Sequence, residues 1–294
     1  MLRQINLVIF VLAVFSQVSC GGQSPTTTTT TPSATTPADS KREDIPKNLV
    51  RLYLLADVTA VSPGQELRIA ARFDIEPSWH IYWTNPGEAG IPTTVEFGLP
   101  PGFSAEPIRY PGPVSFDGGE GIISYGYQEL AMLSTEVTAP LKLNSNKKLH
   151  FSATASWLAC REMCIPGKAE VRMSLDVATQ AVPSAPANET MFAAHENRLP
   201  SSNDKLALEW KSGSPATLEV FIPSAQRVEY FPSVTEQSSL AGQLAIPEND
   251  GVKLILSFKN SAPHQVTGVL GINNTDQRTI RYVQLTVPNP STNN

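Results

Sequence analysis

Short runs of alternating apolar and polar residues, bounded by turns rich in proline and glycine, recur through most of this chain. In "ELRIAARFDI" (residues 66–75) every second residue is apolar, which predicts a half-buried strand, and "SPGQE" marks the turn before it. "AEVRMSLDV" alternates in the same way. The 25 prolines and 18 glycines favour short strands and turns over long helices. The predicted inward-facing residues of the first run are Leu67, Ile69, Ala71, Phe73 and Ile75.

The strands fall into two groups. "TTVEFGL" and "KKLHFSATASWLA" belong to the first, and no stretch with helical periodicity interrupts it between Asn48 and Thr179. After Asn203 strands return as "KLALEW", "ATLEVFIP", "VKLILSFKN" and "TIRYVQLTV". Between them, "ETMFAAHENRLP" predicts one short helix that is capped by Asn188 and stopped by Pro200. We therefore predict an all-β chain with two immunoglobulin-like β-sandwich domains.

The first residues have the pattern of an export signal. Arg3 supplies one early positive charge, and the apolar run from Leu7 to Phe15 is too short to cross a bilayer. "QVSC" resembles a lipobox, the motif that precedes a lipidated cysteine, except that Gln17 stands where leucine is usual. Because of this resemblance we predict that Cys20 is lipidated. Ordinary secretion is the alternative. In both cases the protein works outside the cytoplasm, where disulfides persist.

The predicted organisation follows from these changes in composition. "SPTTTTTTPSATTPADS" lacks large apolar residues and predicts a disordered tether. The predicted parts are a signal peptide of lipoprotein type (1–20), the tether (21–47), the first sandwich (48–179), a linker with the short helix (180–203), the second sandwich (204–288) and a tail (289–294).

Charge and hydropathy exclude some classes of partner. A net charge of −5 with 17% charged residues argues against a basic nucleic-acid binder, so no nucleic-acid partner is expected. A hydrophobic content of 41% is too low for several membrane spans.

Two of the three cysteines, Cys160 and Cys164, lie close together in "SWLACREMCIPGKA". A structural zinc site needs four nitrogen or sulfur ligands. The folded part of the exported chain offers only these two cysteines, and nothing in the sequence links the distant His80 or His150 to them. We therefore predict neither a metal nor a cofactor. The pair is either a structural disulfide or a redox switch.

The residues alone leave that choice open. In the chain-entropy model a bridge across a five-residue loop contributes only about 2 kcal/mol, against about 4.7 kcal/mol for a 100-residue loop. Short loops also tend to strain a disulfide, which makes it easier to reduce. Arg161 and Lys168 favour a thiolate, whereas Glu162 opposes one.

Several motifs together resemble the periplasmic N-terminal domain of the DsbD family of thiol:disulfide interchange proteins, in particular its branch linked to suppression of copper sensitivity. They are "SWHIYWTNPGEAGIPTTVEF" (78–97), "YPGP" (110–113), "SYGYQ" (124–128) and "WLACREMCIPGKAEV" (157–171). The resemblance covers about residues 50–177. The second β domain is more loosely similar to the repeat that follows in that branch, mainly through "YFP" (230–232).

The resemblance implies a chemistry. Cys160 and Cys164 would be a catalytic redox pair at an exposed strand end of an immunoglobulin-like sandwich. The pair would take electrons from a membrane-embedded reductase and pass them to periplasmic thioredoxin-like proteins, in cytochrome c biogenesis or copper tolerance. A loop over residues 114–123 would cap the disulfide, with Phe116 as the shielding ring and Asp117 and Glu120 as neighbouring acids. The aromatic residues expected to line the core or a groove are Trp79, Tyr82, Trp83, Tyr125, Tyr127 and Trp157.

The sequence also departs from that family. It lacks the family's transmembrane electron carrier and thioredoxin domain, so a separate reductase would have to serve it. The spacing Cys-x-x-x-Cys is shorter than in the classical members. The expected location is the periplasm, with a lipid anchor in a membrane, or secretion without one. The alternative function is a non-enzymatic docking module in which the disulfide is structural.

Overall fold

The computed structural model describes residues 48–144, 147–178, 186–202, 206–237, 239–259, 262–274 and 280–290. All of them belong to one compact unit that runs from Ile45 to Asn294. Within these residues the fold is nearly all β and forms two immunoglobulin-like sandwiches, as the sequence predicts. No helix in the described part of the chain is long and apolar enough to cross a membrane.

The first sandwich consists of sheet A, with strand order β1-β3-β9-β6, and sheet B, with order β2-β11-β10-β4-β8-β7 and β5 on β10. The alternation predicted for residues 66–75 is confirmed, because Leu67, Ile69, Ala71, Phe73 and Ile75 are all buried. The strands are β1 (Val50–Ala56), β2 (Ala60–Val61), β3 (Glu66–Ile75), β4 (His80–Gly87), β5 (Thr94–Gly98), β6 (Ser104–Ala105), β7 (Val114–Asp117), β8 (Ile123–Gln128), β9 (Leu130–Thr138), β10 (Leu149–Cys160) and β11 (Cys164–Val177).

Helix α1 (Glu189–Glu196) covers the outer face of sheet A. Phe192 is buried there against Ala70 and Met132. The predicted helix is present and Asn188 is its N-cap residue, but the side chain does not cap the helix. Asn188 has a left-handed backbone (φ 51°) and makes no side-chain cap. Its Nδ2 instead donates to the carbonyl oxygen of Ala56 at 2.9 Å, so the amide fastens the helix to the sheet.

A buried histidine of α1 meets sheet A. His195 Nε2 lies 2.8 Å from Ser134 Oγ. Burial lowers the pKa of His195 to about 4, so the ring is neutral at pH 7. The next residue, Glu196, pairs with Arg109 at 2.8 Å and with Arg68 at 3.2 Å. The helix is therefore held by apolar packing, a hydrogen bond and ion pairs together.

The second sandwich consists of sheet C, with order β12-β19-β18-β15, and sheet D, with order β13-β14-β17-β16. Leu218, Leu254 and Leu270 lie fully buried in its own core. Its elements are β12 (Ser201–Ser202), β13 (Ala207–Lys211), β14 (Thr217–Pro223), β15 (Ala225–Pro232), α2 (Val234–Gln237), β16 (Leu240–Glu248), β17 (Gly251–Phe258), β18 (Gln265–Asn274) and β19 (Ile280–Pro288).

The two sandwiches share a packed junction. Phe231 and Tyr282 of the second sandwich belong to the hydrophobic core of the first. The Phe231 ring meets that of Tyr125 edge to face, with centroids 5.3 Å apart. Tyr282 Oη donates to the carbonyl oxygen of Pro113 at 2.9 Å. A side chain at Gly112 would overlap the Tyr282 ring, so only glycine allows this approach.

The predicted signal peptide with Cys20, the tether of residues 21–47 and parts of the linker lie outside the described residues. The domain boundaries proposed at those places stay predictions.

Candidate thiol–disulfide site

The two cysteines form a disulfide at the end of the β10–β11 hairpin. They are the last cross-strand pair of that hairpin, so the strand register alone brings them together. Cys160 is 2% exposed, whereas Cys164 is exposed to solvent. The disulfide is therefore accessible at Cys164 and inaccessible at Cys160.

The register of sheet B extends this pair into a row across four strands. Cys164 pairs with Cys160, Cys160 with His80, and His80 with Gln128. Side chains at paired positions of antiparallel strands point to the same face, with Cβ atoms about 5 Å apart. His80 therefore lies beside Cys160 on the same face of the sheet as the disulfide.

That face is the outer one, away from the core of the sandwich. Ile81 and Trp83 alternate with His80 and Tyr82 along β4, and they are buried in the core between the sheets. The predicted core or groove aromatics divide accordingly. Tyr82 lies on the outer face, and its Oη is 3.9 Å from Cys164 Sγ. The others belong to the core, namely Trp79, Trp83, Tyr125, Tyr127 and Trp157.

The segment predicted as a cap, residues 114–123, is the β7–β8 hairpin, which we call the cap hairpin. Phe116 stacks on the His80 ring with centroids 4.2 Å apart and planes at 15°. The ring that the sequence predicted as the shield thus covers the histidine next to the disulfide. Asp117 Oδ1 accepts a hydrogen bond from the Gly119 amide at 2.8 Å, and Glu120 is exposed in the turn.

The base of the cap hairpin is fixed on both sides. Ser115 Oγ donates to Glu229 Oε2 of the second sandwich at 3.1 Å. The amide of Ile123 donates to Glu88 Oε2 at 2.9 Å. The tip is different, because Gly119 and Gly121 have φ near +83° and their Cα atoms face open space. The tip is therefore unpacked at these two glycines, whereas the base is attached on both sides.

Tyr82 is held in place from the other side by the loop after β4. A Cβ atom at Gly90 would overlap the Tyr82 ring, and Gly90 has φ +111°. The Tyr82 ring also meets His80 edge to face, with centroids 5.2 Å apart. Burial raises the pKa of Tyr82, so its hydroxyl stays protonated beside the sulfur.

His80 is the residue that the sequence analysis missed. It was considered only as a remote zinc ligand, because it lies eighty residues before Cys160. Its Nε2 is shielded from solvent and has no hydrogen-bond partner. Burial lowers the pKa of its ring. The alternation in "WHIYW" could have indicated its position, since it places His80 on the face of the strand that points away from the core.

Charge near the disulfide comes mainly from the hairpin turn. The Arg161 guanidinium lies over the Trp79 ring, 5.4 Å from its centroid. The cation nearest to Cys160 in sequence is therefore held against Trp79. Among the described residues no three His, Cys, Asp or Glu side chains are grouped so that they could hold a metal ion.

One family model matches the part of the chain that contains this site. The family model for "Thiol:disulfide interchange protein DsbD, N-terminal" matches residues 52–175, a range that contains both cysteines and the cap hairpin. Residues 52–175 are therefore similar to a DsbD N-terminal domain. This match and the Cys160–Cys164 disulfide support a thiol:disulfide interchange domain over these residues.

Solved structures extend the comparison of fold. The N-terminal periplasmic domain of ScsB from Proteus mirabilis is similar with a TM-score of 0.58 at 14% identity, covering 82% of this chain and 94% of that one. This likeness is one of fold and extends beyond the DsbD N-terminal domain into the second sandwich. The reduced N-terminal domain of DsbD from Neisseria meningitidis matches at 12% identity with a TM-score of 0.30, covering 47% of this chain and 95% of that one. A search of curated proteins found no match.

Proposed function

We propose that this protein is an extracytoplasmic thiol:disulfide exchange protein that accepts electrons from a membrane-embedded reductase and passes them to thioredoxin-like partners. One observation carries the proposal. The disulfide lies at an exposed hairpin end on the outer face of sheet B, with Cys164 accessible and Cys160 buried. A disulfide that served only to hold the fold would add little here, because β10 and β11 are already paired along their whole length.

The difference in exposure assigns a role to each sulfur. A thiolate of the reductase attacks Sγ of Cys164, the bond between the cysteines breaks, and Cys160 leaves as a thiolate. A second thiolate of the reductase then attacks its own sulfur in the mixed disulfide and frees Cys164. Two electrons have moved, the reductase holds a disulfide and this domain holds a dithiol.

Delivery to a partner runs through the same sulfur in reverse. The Cys164 thiolate attacks the partner's disulfide and forms a mixed disulfide, and one partner sulfur leaves. Cys160 then attacks Sγ of Cys164, which restores the bond and releases the partner as a dithiol. Partner sulfur approaches along the outer face of sheet B, where Cys164 is exposed and Phe116 covers the neighbouring His80.

The proposal includes a location. The export signal and the lipobox-like stretch before Cys20 support a protein anchored in a membrane and working in the periplasm. The solved relatives similar to this chain include a periplasmic domain, which agrees with that location.

Single serine variants test the chemistry in cells. Cys160→Ser retains the accessible Cys164 but has no resolving sulfur, so mixed disulfides with thioredoxin-like proteins should accumulate. Cys164→Ser retains only the buried Cys160 and should accumulate few. The adducts are detected on non-reducing gels after rapid alkylation. The same cells are fractionated, and Cys20→Ala should move the protein from the membrane to the soluble periplasmic fraction.

The alternative of a docking module makes the opposite prediction. If neither serine variant forms an adduct, and the wild-type disulfide resists reduction until the protein unfolds, the exchange function is wrong and the disulfide is structural. A Cys20→Ala variant with unchanged fractionation contradicts the anchor only.

A further inference from the structure

His80 has no role in the chemistry described so far, yet it is the side chain placed next to the resolving cysteine. It is the cross-strand partner of Cys160, and both side chains lie on the outer face of sheet B. We propose that His80 takes the proton of Cys160 when that cysteine attacks and returns it when that cysteine leaves. The inference rests on the proposed exchange function and deepens it.

The proton balance shows why such a group is needed. When a mixed disulfide on Cys164 is resolved, the Cys160 thiol loses its proton, its sulfur bonds to Cys164, and the partner sulfur leaves with the bonding electrons. In the opposite direction the Cys160 sulfur leaves Cys164 as a thiolate and must gain a proton. Partner thiols and disulfides supply all the electrons, so only the proton lacks an assigned carrier.

Water cannot easily carry that proton while the domain is closed. Cys160 is 2% exposed, and the Phe116 ring is stacked on the face of His80. A thiol with a pKa of about 8.5 is only about 1% ionised at pH 6.5, so a buried resolving cysteine needs a nearby base.

The surroundings of His80 suit a base. On its own strand it meets Tyr82, and across the neighbouring strands it faces Cys160 on β10 and the uncharged Gln128 on β8. From the cap hairpin it meets the uncharged Phe116. Arg161, the nearest cation in sequence to Cys160, lies over Trp79 instead. No carboxylate of these strands is paired with the imidazole, and burial alone lowers its pKa, so a thiolate on Cys160 would be the opposite charge next to it.

The unpartnered nitrogen supports the same role. Burial lowers the pKa of His80, which keeps the ring neutral and able to accept a proton at pH 7. Its Nε2 is inaccessible and makes no hydrogen bond, an arrangement that costs free energy and is uncommon in folded proteins. A proton taken from Cys160 would create an imidazolium beside a thiolate, and each would stabilise the other.

The test separates the two sulfur steps in one reaction. The full-length protein is reduced and mixed in a stopped-flow instrument with 5,5′-dithiobis(2-nitrobenzoate), which releases one coloured thiolate when Cys164 attacks and a second when Cys160 resolves the adduct. We expect His80→Gln to slow the second release about a hundredfold at pH 6.5, which is the lower end of the range for loss of a general base. Above pH 9 the two proteins should converge, because Cys160 then ionises unaided.

Two further variants exclude a packing effect. His80→Phe keeps a ring against Phe116 but cannot accept a proton, and it should behave like His80→Gln. His150→Gln is the matched control, because His150 lies on β10 but is exposed and bonded to Ser174. It should leave both releases unchanged, as should His80→Gln for the first release.

Each result decides between the proposals. If either His80 variant keeps the wild-type pH profile for the second release, the proton role is wrong and the exchange function stands. If the wild-type disulfide cannot be reduced without unfolding the protein, both proposals are wrong.

Discussion

A cover lies on the outer face of each of sheets A and B, and each contact includes a histidine, which belongs to the cover on sheet A but to the sheet itself on sheet B. On sheet A, helix α1 buries Phe192, and His195 is bonded to Ser134. On sheet B, the cap hairpin places a half-buried Phe116 on His80, whose Nε2 has no partner. The first cover has its polar groups satisfied and is part of the fold. The second leaves a polar atom unsatisfied under a half-buried ring, so we expect it to contribute less to stability than the first.

Removing the buried ring from the sheet A cover should have the largest effect. We expect Phe192→Ala to lower the free energy of unfolding by about 3–5 kcal/mol, because it leaves a cavity between α1 and sheet A. Thr190→Ala, at an exposed position of the same helix, is the control and should change it by less than about 0.5 kcal/mol. Urea denaturation measures both. A loss below 1 kcal/mol for Phe192→Ala would mean that the helix is as detachable as the cap hairpin.

The second largest effect is expected from acid, which should lower the stability that His195 of α1 contributes. The pKa of His195 is lowered to about 4 in the folded protein, against about 6.5 when unfolded, so the unfolded chain binds the extra proton first. Stability is therefore lost as the pH falls from 6.5 towards 4, by about 3 kcal/mol in all. In His195→Gln this part of the pH dependence should disappear. Denaturation curves at pH 7, 5.5 and 4 give the difference, and parallel pH profiles for the two proteins would contradict it.

The smallest effect on stability is expected for a change in the cap hairpin. The same change should raise the rate at which the disulfide is reduced. Phe116→Ala should lower the free energy of unfolding by less than about 1 kcal/mol, because the ring is only half buried. It should raise the rate at which dithiothreitol reduces the disulfide several-fold, since access limits exchange. Phe103→Ala is the matched control, because Phe103 is also half buried against another aromatic ring, that of Phe151, but in the core between the sheets. An unchanged rate in Phe116→Ala would show that the hairpin does not restrict access.

Much of the fold could be predicted because it depends on local pattern. The alternation in "ELRIAARFDI" gives both the strand and its buried face, and it holds because a strand in a two-layer sandwich has one face in the core. The N-cap position of Asn188 could be predicted, but the bond of its side chain to Ala56 could not, because Ala56 is far away in the sequence.

The site could be predicted only in part for the same reason. The Cys160–Cys164 pair is local, so its position in a hairpin is visible in the sequence. The placement of His80 beside Cys160 depends on the register between β4 and β10, which no local pattern encodes. The stacking of Phe116 on His80 likewise needs the cap hairpin to fold back over the sheet.

The junction between the sandwiches affects how this protein can be cut into pieces. Strands of the second sandwich contain Phe231, Val269 and Tyr282. The side chains of these residues nevertheless pack in the core of the first sandwich. A fragment that ended before the second sandwich would expose the apolar surface of Trp83 and Tyr125 to water and would lose the contact that Glu229 makes with the base of the cap hairpin. By topology the chain has two sandwiches. For expression, or for transfer into another protein, the smallest unit that keeps these contacts is the two sandwiches together.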